Sequence, residues 1–378
     1  MQHGVMDVVI VHPSLNRIGG AERVCLKIME CLRKSNHRVA TYTVDKTNWG
    51  RVSGYWGKEI KPDSEVWLVR RSWMLQIPFL GWVLFGTLFL DLLIKAKRRR
   101  EALSFNNYGE IFPFVADFSY IHSKPLFSMN PTENPYGVPL WALGAKLYMI
   151  LIRMMKRLFN VSNILTNSRY NRGVIYESLG RTALILYPPA GKYLPPPAID
   201  KRPQVLTISR LSPGKGLEEI PKIAALVSRD TCFIVAGPPA EGDPGLLESL
   251  RRASASLRVV LNPTQDALMR LRLESSIYLS TQQSEAFGLA VVEAMSCGCV
   301  PLTPKDGGPW MDILDGRQGE YGYAYSSVAE AASTIDRLLS DDSLRAAVSG
   351  RARLRSTRFG DERFERSLNK ILAHVRVG

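Results

Sequence analysis

Residues Ser284–Gly298 read SEAFGLAVVEAMSCG, and the segments on either side decide what the stretch is. Before it lies the short apolar run Ile277–Ser280, and after it the run Val300–Thr303. Between them, Gly288 breaks the chain, and the residues from Leu289 onward return apolar side chains at helical spacing. A strand, a loop, a helix and a second strand in this order form a βαβ unit, which places the two strands parallel in a sheet covered on both faces.

The same rhythm extends in both directions. Asp7–Val11, Arg38–Val44, Glu65–Val69, Ile164–Thr166 and Ala183–Tyr187 read as strands in the first half. Val205–Ser209, Thr231–Ala236 and Leu257–Leu261 join the two above in the second half. Helical patterns lie between them, as in Val24, Ile28, Cys31 and Leu32. The proline cluster from Pro188 to Pro203 suits neither element and reads as a connection. At about 100–200 residues per domain, 378 residues make two. The expected fold class is therefore α/β, with two Rossmann-like domains of parallel sheets facing each other across a central cleft. Residues 1–190 form the first domain and 200–355 the second, and ligands are expected at the strand C-termini.

Composition narrows the function. With 46% hydrophobic and 22% charged residues, the chain is neither collagen-like nor disordered. Its five cysteines contain no C-x-x-C pair, which fits a reducing compartment, and no signal peptide is visible at the start. The net charge of +14 is unevenly placed: residues 1–200 carry +12 of it and residues 201–378 only +2. An anionic partner is thus expected at the first half.

Two apolar stretches there choose a membrane surface over nucleic acid. Residues 73–94, WMLQIPFLGWVLFGTLFLDLLI, are bracketed by Arg70, Arg71 and the run from Lys95 to Arg100. Their length would allow a span, but Gln76, Pro78, Asp91 and the cationic flanks at both ends favour interfacial insertion. Residues 140–159, LWALGAKLYMILIRMMKRLF, carry Lys146, Arg153, Lys156 and Arg157 at helical spacing, the pattern of a helix lying among headgroups. Buried core helices are the alternative for both. The basic residues flank aliphatic runs and do not alternate with stacking aromatics, so no nucleic acid is expected.

Three segments look chemical. In Asn16–Glu22, NRIGGAE, the pair Gly19–Gly20 lets backbone N–H groups approach an anion, or simply makes a tight turn. In Ser209–Gly216, SRLSPGKG, Arg210 and Lys215 stand on a turn after a strand, which suits a diphosphate or is simply a solvated basic turn; the segment lacks the Walker pattern. In Ser284–Gly298, Glu285 and Glu293 flank a helix start at Phe287, Gly288 and Leu289. Carboxylates accept bonds from vicinal hydroxyls while a helix start holds phosphate, so the pair describes a nucleotide-sugar site.

The order GGAE, R-x-x-x-x-K and E-x-x-x-x-x-x-x-E resembles the retaining GT-B glycosyltransferases of family 4. Within that family it is most similar to the dolichol-pathway α-1,2-mannosyltransferases of lipid-linked oligosaccharides. The likeness runs through His12–Pro13, LGWVLFGTLFLDLLI, SYIHSKPLFS, TNSRYNRGVI, ILYPPA, EAFGLAVVEAMSCGCVP and GGPWMDIL. It implies that Arg210 and Lys215 hold the donor diphosphate with backbone N–H groups near Gly20 and at Phe287–Leu289. Glu285 then orients the transferred sugar, Glu293 binds ribose and His122 faces the donor sugar. It also implies that the segment Arg358–Arg376, within residues 358–378, packs back on the first domain. The donor would be a GDP- or UDP-hexose, GDP-mannose first, and the acceptor a polyprenyl- or dolichyl-linked sugar at the cytoplasmic face of the membrane.

No D-x-D pair occurs, so no metal and no other cofactor is expected. The chain departs from the pattern at Asn106–Asn107, where an acidic residue is usual, and at Trp310, where a lysine is usual. A polysaccharide or glycolipid transferase using a UDP-sugar remains an alternative, as does, more remotely, a non-catalytic membrane-bound subunit.

Overall fold

A computed structural model of the chain describes residues 5–17, 19–69, 80–99, 102–125, 141–158, 163–190, 200–212, 214–239, 244–253 and 256–375. Parts of the stretches singled out above lie outside these residues: 18, 70–79, 100, 126–128, 140, 159, 191–199, 213 and 376–378. The chain divides into two compact units. One comprises Met1–Asn167, Asn171–Pro189 and Phe364–Gly378; the other comprises Ser168–Tyr170 and Ala190–Arg363.

The first unit runs β1 (Asp7–His12), α1 (Gly20–Lys34), β2 (Arg38–Asp45), α2 (Trp49–Trp56), β3 (Ser64–Val69), α3 (Leu80–Arg98), β4 (Ala102–Asn106), β5 (Phe118–Ile121), α4 (Trp141–Leu158), β6 (Asn163–Thr166), α5 (Arg169–Leu179) and β7 (Leu184–Ile185). Its strands are ordered β3-β2-β1-β4-β5-β6-β7, every pairing parallel. Sequence reading misses β4 and β5. Both are short, and ALSFN mixes polar with apolar residues because a serine in it bonds Asp117 and an asparagine turns the chain.

Successive residues of β1 serve opposite faces, as the pleat requires. Val9 and Val11 enter a core built with α3, while Val8 and Ile10 enter one built with α1. The final helix α12 (Asp361–Val375) adds Phe364, Leu368 and Leu372 to that second core, and its Glu365 pairs with Lys34 at 3.2 Å.

This packing corrects one expectation. Phe89, Leu92, Leu93 and Ala96 recur at helical spacing on α3 and are fully buried, with Leu88, Leu90 and Ile94 packed beside them. The apolar residues of 88–94 in the 73–94 stretch are therefore sheet-covering core, not lipid-inserted surface, while Asp91 faces outward and pairs with Lys95: a parallel sheet needs an apolar helix on each face, and α3 is that helix here. The 140–159 stretch behaves differently. Along α4, Ile152 points inward, but Leu143, Leu147, Ile150, Leu151 and Met154 are exposed, from 37% to 58%. Lys146 and Arg153 are exposed on the same helix. Among the described residues no helix is long and apolar enough to cross a membrane.

The second unit runs β8 (Arg202–Ile208), α6 (Glu219–Leu226), β9 (Cys232–Gly237), α7 (Pro244–Ala253), β10 (Leu257–Leu261), α8 (Gln265–Glu274), β11 (Ser275–Leu279), α9 (Leu289–Ser296), β12 (Val300–Pro304), a π-helical turn at Pro309–Ile313, β13 (Tyr323–Tyr325), α10 (Val328–Ser340), α11 (Asp342–Ser356) and a 3-10 turn at Thr357–Phe359. The strands are ordered β10-β9-β8-β11-β12-β13, again all parallel. In both sheets the order reverses beside the first strand, between β1 and β4 and between β8 and β11. Open α/β sheets bind ligands at the strand ends of such reversals, where the connecting loops diverge.

Candidate functional site

In the second unit a cavity of about 310 Å³ opens at this reversal. The end of β8 supplies Thr207, Ile208, Ser209 and Arg210; β11 and its loop supply Tyr278, Ser280, Thr281 and Gln282. Lys215, Glu285, Gly288, Leu289, Ala290 and Val291 complete the wall.

Close backbone packing brings these loops together. Gly237, at the end of β9, lets Ser209 approach so nearly that an added Cβ would lie 1.8 Å from its carbonyl oxygen. Gly216 adopts φ +64°, and its Cβ would meet the Thr281 carbonyl at 2.4 Å, while the Thr281 hydroxyl donates to Lys215 O at 2.8 Å. The Arg210–Gly216 turn is thereby laced to the Thr281–Gln282 loop. Lys215 Nζ donates to Gln282 Oε1 and lies 3.7 Å from Glu285 Oε2.

Glu285 is itself clamped from behind. Ser284 donates through its N–H and hydroxyl to Asp306 at 2.7 and 2.9 Å, and Gly308 N donates to Glu285 O at 2.8 Å. Gly307 and Gly308 lie against the Glu285–Phe287 backbone without room for a Cβ.

Gly288 caps α9 in the left-handed conformation, φ 94° and ψ 58°, a geometry that favours glycine. The first N–H to bond back to it belongs to Val291, so those of Leu289 and Ala290 lie ahead of the ladder in residues that line the cavity. Two cations and a helix start therefore converge on one space, the arrangement that holds a diphosphate.

Not every expected residue reaches the cavity. The Phe287 ring turns into the interior, edge-on to Phe359 at 5.4 Å, so only its backbone is available. Glu293 lies one turn along α9, outside the lining residues, and pairs with Arg272 of α8. It remains electrostatically near the cavity: burial, with a contribution from Glu293 and Glu285, holds the Tyr278 hydroxyl well above its ordinary pKa. Lys201 fastens this region, its ammonium donating to the carbonyls of Arg272, Ser275 and Cys297 at 2.9, 2.8 and 2.7 Å. Arg272, Gln282 and the Asp306–Gly308 clamp escape sequence reasoning. Each acts through a partner distant in the chain, and none forms a spaced motif.

The first unit holds Gly19, Gly20 and His122. Gly19 caps α1, which begins at Gly20; a Cβ on Gly19 would lie 2.8 Å from the Glu22 carboxylate. That carboxylate approaches His12 Nε2 at 3.3 Å, at the end of β1. His122 follows β5, and its Nε2 is 2.9 Å from the carbonyl oxygen of Asn107. A carbonyl only accepts, so Nε2 carries the proton and Nδ1 is the acceptor.

Burial lowers the His122 pKa to about 4 and, with His122 nearby, that of His12 to about 3, so both rings are neutral. Beneath them Glu110 accepts from the N–H groups of His122 and Ser123, and burial pushes its carboxyl up to about 7. Sequence reading passes over Glu110, whose surroundings form only when β4 and β5 pair.

Comparison with known proteins bears on the family and the fold. Residues 194–355 match the family described as glycosyl transferases group 1. A GDP-Man:Man(3)GlcNAc(2)-PP-Dol alpha-1,2-mannosyltransferase of Dictyostelium discoideum is 25% identical over 71% of this chain and 56% of that protein. The human protein of the same description is 25% identical over 62% and 52%, and the mouse protein 26% identical over 95% and 85%. The chain thus spans about half the length of the first two.

Among solved structures, Anabaena HepE in complex with UDP and glucose superposes with a TM-score of 0.70 at 17% identity, covering 98% of this chain and all of that one. The sucrose-phosphate synthase of Thermosynechococcus elongatus gives 0.72 at 13%, covering 98% and 99%. Residues 194–355 thus match the glycosyl transferases of group 1, the fold is that of the GT-B glycosyltransferases, and the chain is distantly similar in sequence to the lipid-linked oligosaccharide α-1,2-mannosyltransferases.

Proposed function

We propose that this protein moves a hexose, mannose from GDP-mannose first, onto a lipid-linked sugar at the cytoplasmic membrane surface, with retention and without a metal. One observation carries the reading: Arg210, Lys215, Glu285 and the start of α9 line a single cavity at the sheet reversal. Breaking the bond between a sugar and a diphosphate builds negative charge on the leaving oxygens. Arg210 grips two of them, Lys215 supplies a point charge, and the N–H groups of Leu289 and Ala290 add an oriented dipole. Preorganised charge of this kind stabilises the transition state.

Glu285 orients the sugar through its hydroxyls, and Glu293, steadied by Arg272, takes the ribose. Phe287 contributes only main chain. We assign His122 a sugar hydroxyl, which its Nδ1 accepts, and assign Gly19–Gly20 an approach to the phosphates. In this reading the first unit serves the acceptor and the second the donor. The exposed apolar face of α4, with Lys146 and Arg153 beside it, supports docking on an anionic lipid surface.

A UDP-hexose transferase acting on a polysaccharide or glycolipid is the second reading, favoured by the fold likeness to HepE in its UDP and glucose complex. A panel of GDP-mannose, UDP-glucose and UDP-N-acetylglucosamine, each with a polyprenyl-diphosphate-linked oligosaccharide, separates the two by product mass. GDP-mannose is expected to give an α-linked product with EDTA present. Transfer from a UDP-sugar alone selects the second reading. Absence of transfer from all three, or a β-linked product, overturns both.

A further inference from the structure

A larger cavity of the second unit, about 550 Å³, shares no residue with the donor cavity and is walled by arginines. Arg351, Arg355 and Arg358 recur at i, i+4 and i+7 along the end of α11 and the turn after it, and Arg363 enters from the first turn of α12. Two of the four are held by main chain. Arg351 donates to Glu320 O at 2.8 Å and Gly319 O at 3.1 Å. Arg355 donates to Ile313 O at 3.1 Å and Asp312 O at 2.9 Å, with its guanidinium over the Tyr321 ring.

The charge is poorly answered within the lining. Arg355 has Asp315 at 3.5 Å, but Arg351, Arg358 and Arg363 have no carboxylate within ion-pair distance among the described residues. Glu320, the one acidic residue of the wall, is engaged by Arg317 at 3.0 Å. Three guanidinium groups around one cavity repel one another unless an anion joins them, and guanidinium matches phosphate oxygens two at a time. The cavity is also larger than a bare ion requires, and Leu354, 75% exposed, lies in its wall beside Tyr321.

We propose that this pocket is a second anion site, for the phosphate of an organic phosphate ester whose apolar part lies against Leu354 and Tyr321. It goes beyond the transfer reaction and does not depend on it. The phosphate can belong to a soluble ester or to a lipid headgroup, and the test has an arm for each.

The full chain is titrated calorimetrically with glycerol 3-phosphate, and floated with phosphatidylglycerol or phosphatidylcholine vesicles. The measurements are repeated on R358A/R363A, whose side chains are exposed and hold no ion pair, and on R210A/K215A. At least a tenfold loss of glycerol 3-phosphate affinity in R358A/R363A, with R210A/K215A unchanged, is expected for a soluble ester. The same selective loss confined to phosphatidylglycerol vesicles assigns the site to a lipid headgroup. The proposal is overturned if R358A/R363A binds both as tightly as wild type, if only R210A/K215A loses binding, or if neither probe binds up to about 10 mM.

Discussion

Gly308 tests whether the clamp behind Glu285 sets the rate. A Cβ at Gly308 would lie 2.3 Å from Ala286 O and 2.8 Å from Phe287 Cα, whereas ordinary contact begins at 3.4 Å. Both neighbours are backbone and cannot rotate away, so the Glu285–Phe287 segment must move by about 1 Å. Gly308 itself sits at φ −62°, so alanine there brings no dihedral strain and the effect is purely one of displacement. A shift of about 1 Å in a positioning group costs about 10²-fold, or roughly 2.7 kcal/mol of transition-state stabilisation.

Gly308→Ala is therefore expected to lower kcat/KM about 100-fold while far-UV circular dichroism stays native. Gly350→Ala is the control: its Cβ meets nothing within 4 Å in the middle of α11, so activity should hold and stability rise by up to about 1 kcal/mol. Wild-type turnover in Gly308→Ala would refute the claim that this contact positions Glu285.

Three further outcomes follow from the same structure. Arg272→Met strands the Glu293 carboxylate, 19% exposed, and should cost about 3 kcal/mol in urea unfolding, part of it recovered by adding Glu293→Gln; donor KM should rise about tenfold. Glu110 has a folded pKa near 7 against an ordinary 4.5, so the folded state keeps a proton that the unfolded state loses. The stability this adds is complete below pH 4.5 and lost as pH rises to 7; the unfolding free energy of wild type relative to Glu110→Gln should fall by about 3 kcal/mol across that window. On α4, Leu147→Glu with Ile150→Glu should weaken binding to anionic vesicles at least tenfold, at roughly 1.5–3 kcal/mol per side chain; unchanged flotation would remove this helix from the membrane contact.

Much of this molecule was legible along the chain because its information is local. The run from Ile277 to Thr303 announces a parallel βαβ unit through its own periodicity, and Gly288 announces the helix start because few other residues accept its backbone angles. Arg210, Lys215 and Glu285 stand in short motifs, so their meeting at one cavity was readable as chemistry before any fold was known. Apolar stretches are the opposite case. Residues 88–94 and the exposed face of α4 look alike as runs of large apolar side chains, since hydrophobicity states only that water is unfavourable and not what replaces it. Only the sheet decided that α3 covers β-strands while Leu143, Leu147, Ile150 and Met154 of α4 stay outside. Tertiary structure likewise decided the partner of Glu293, the burial of Glu110 and the arginine-walled cavity, because each depends on which residues distant in sequence the packing brings within a few ångströms.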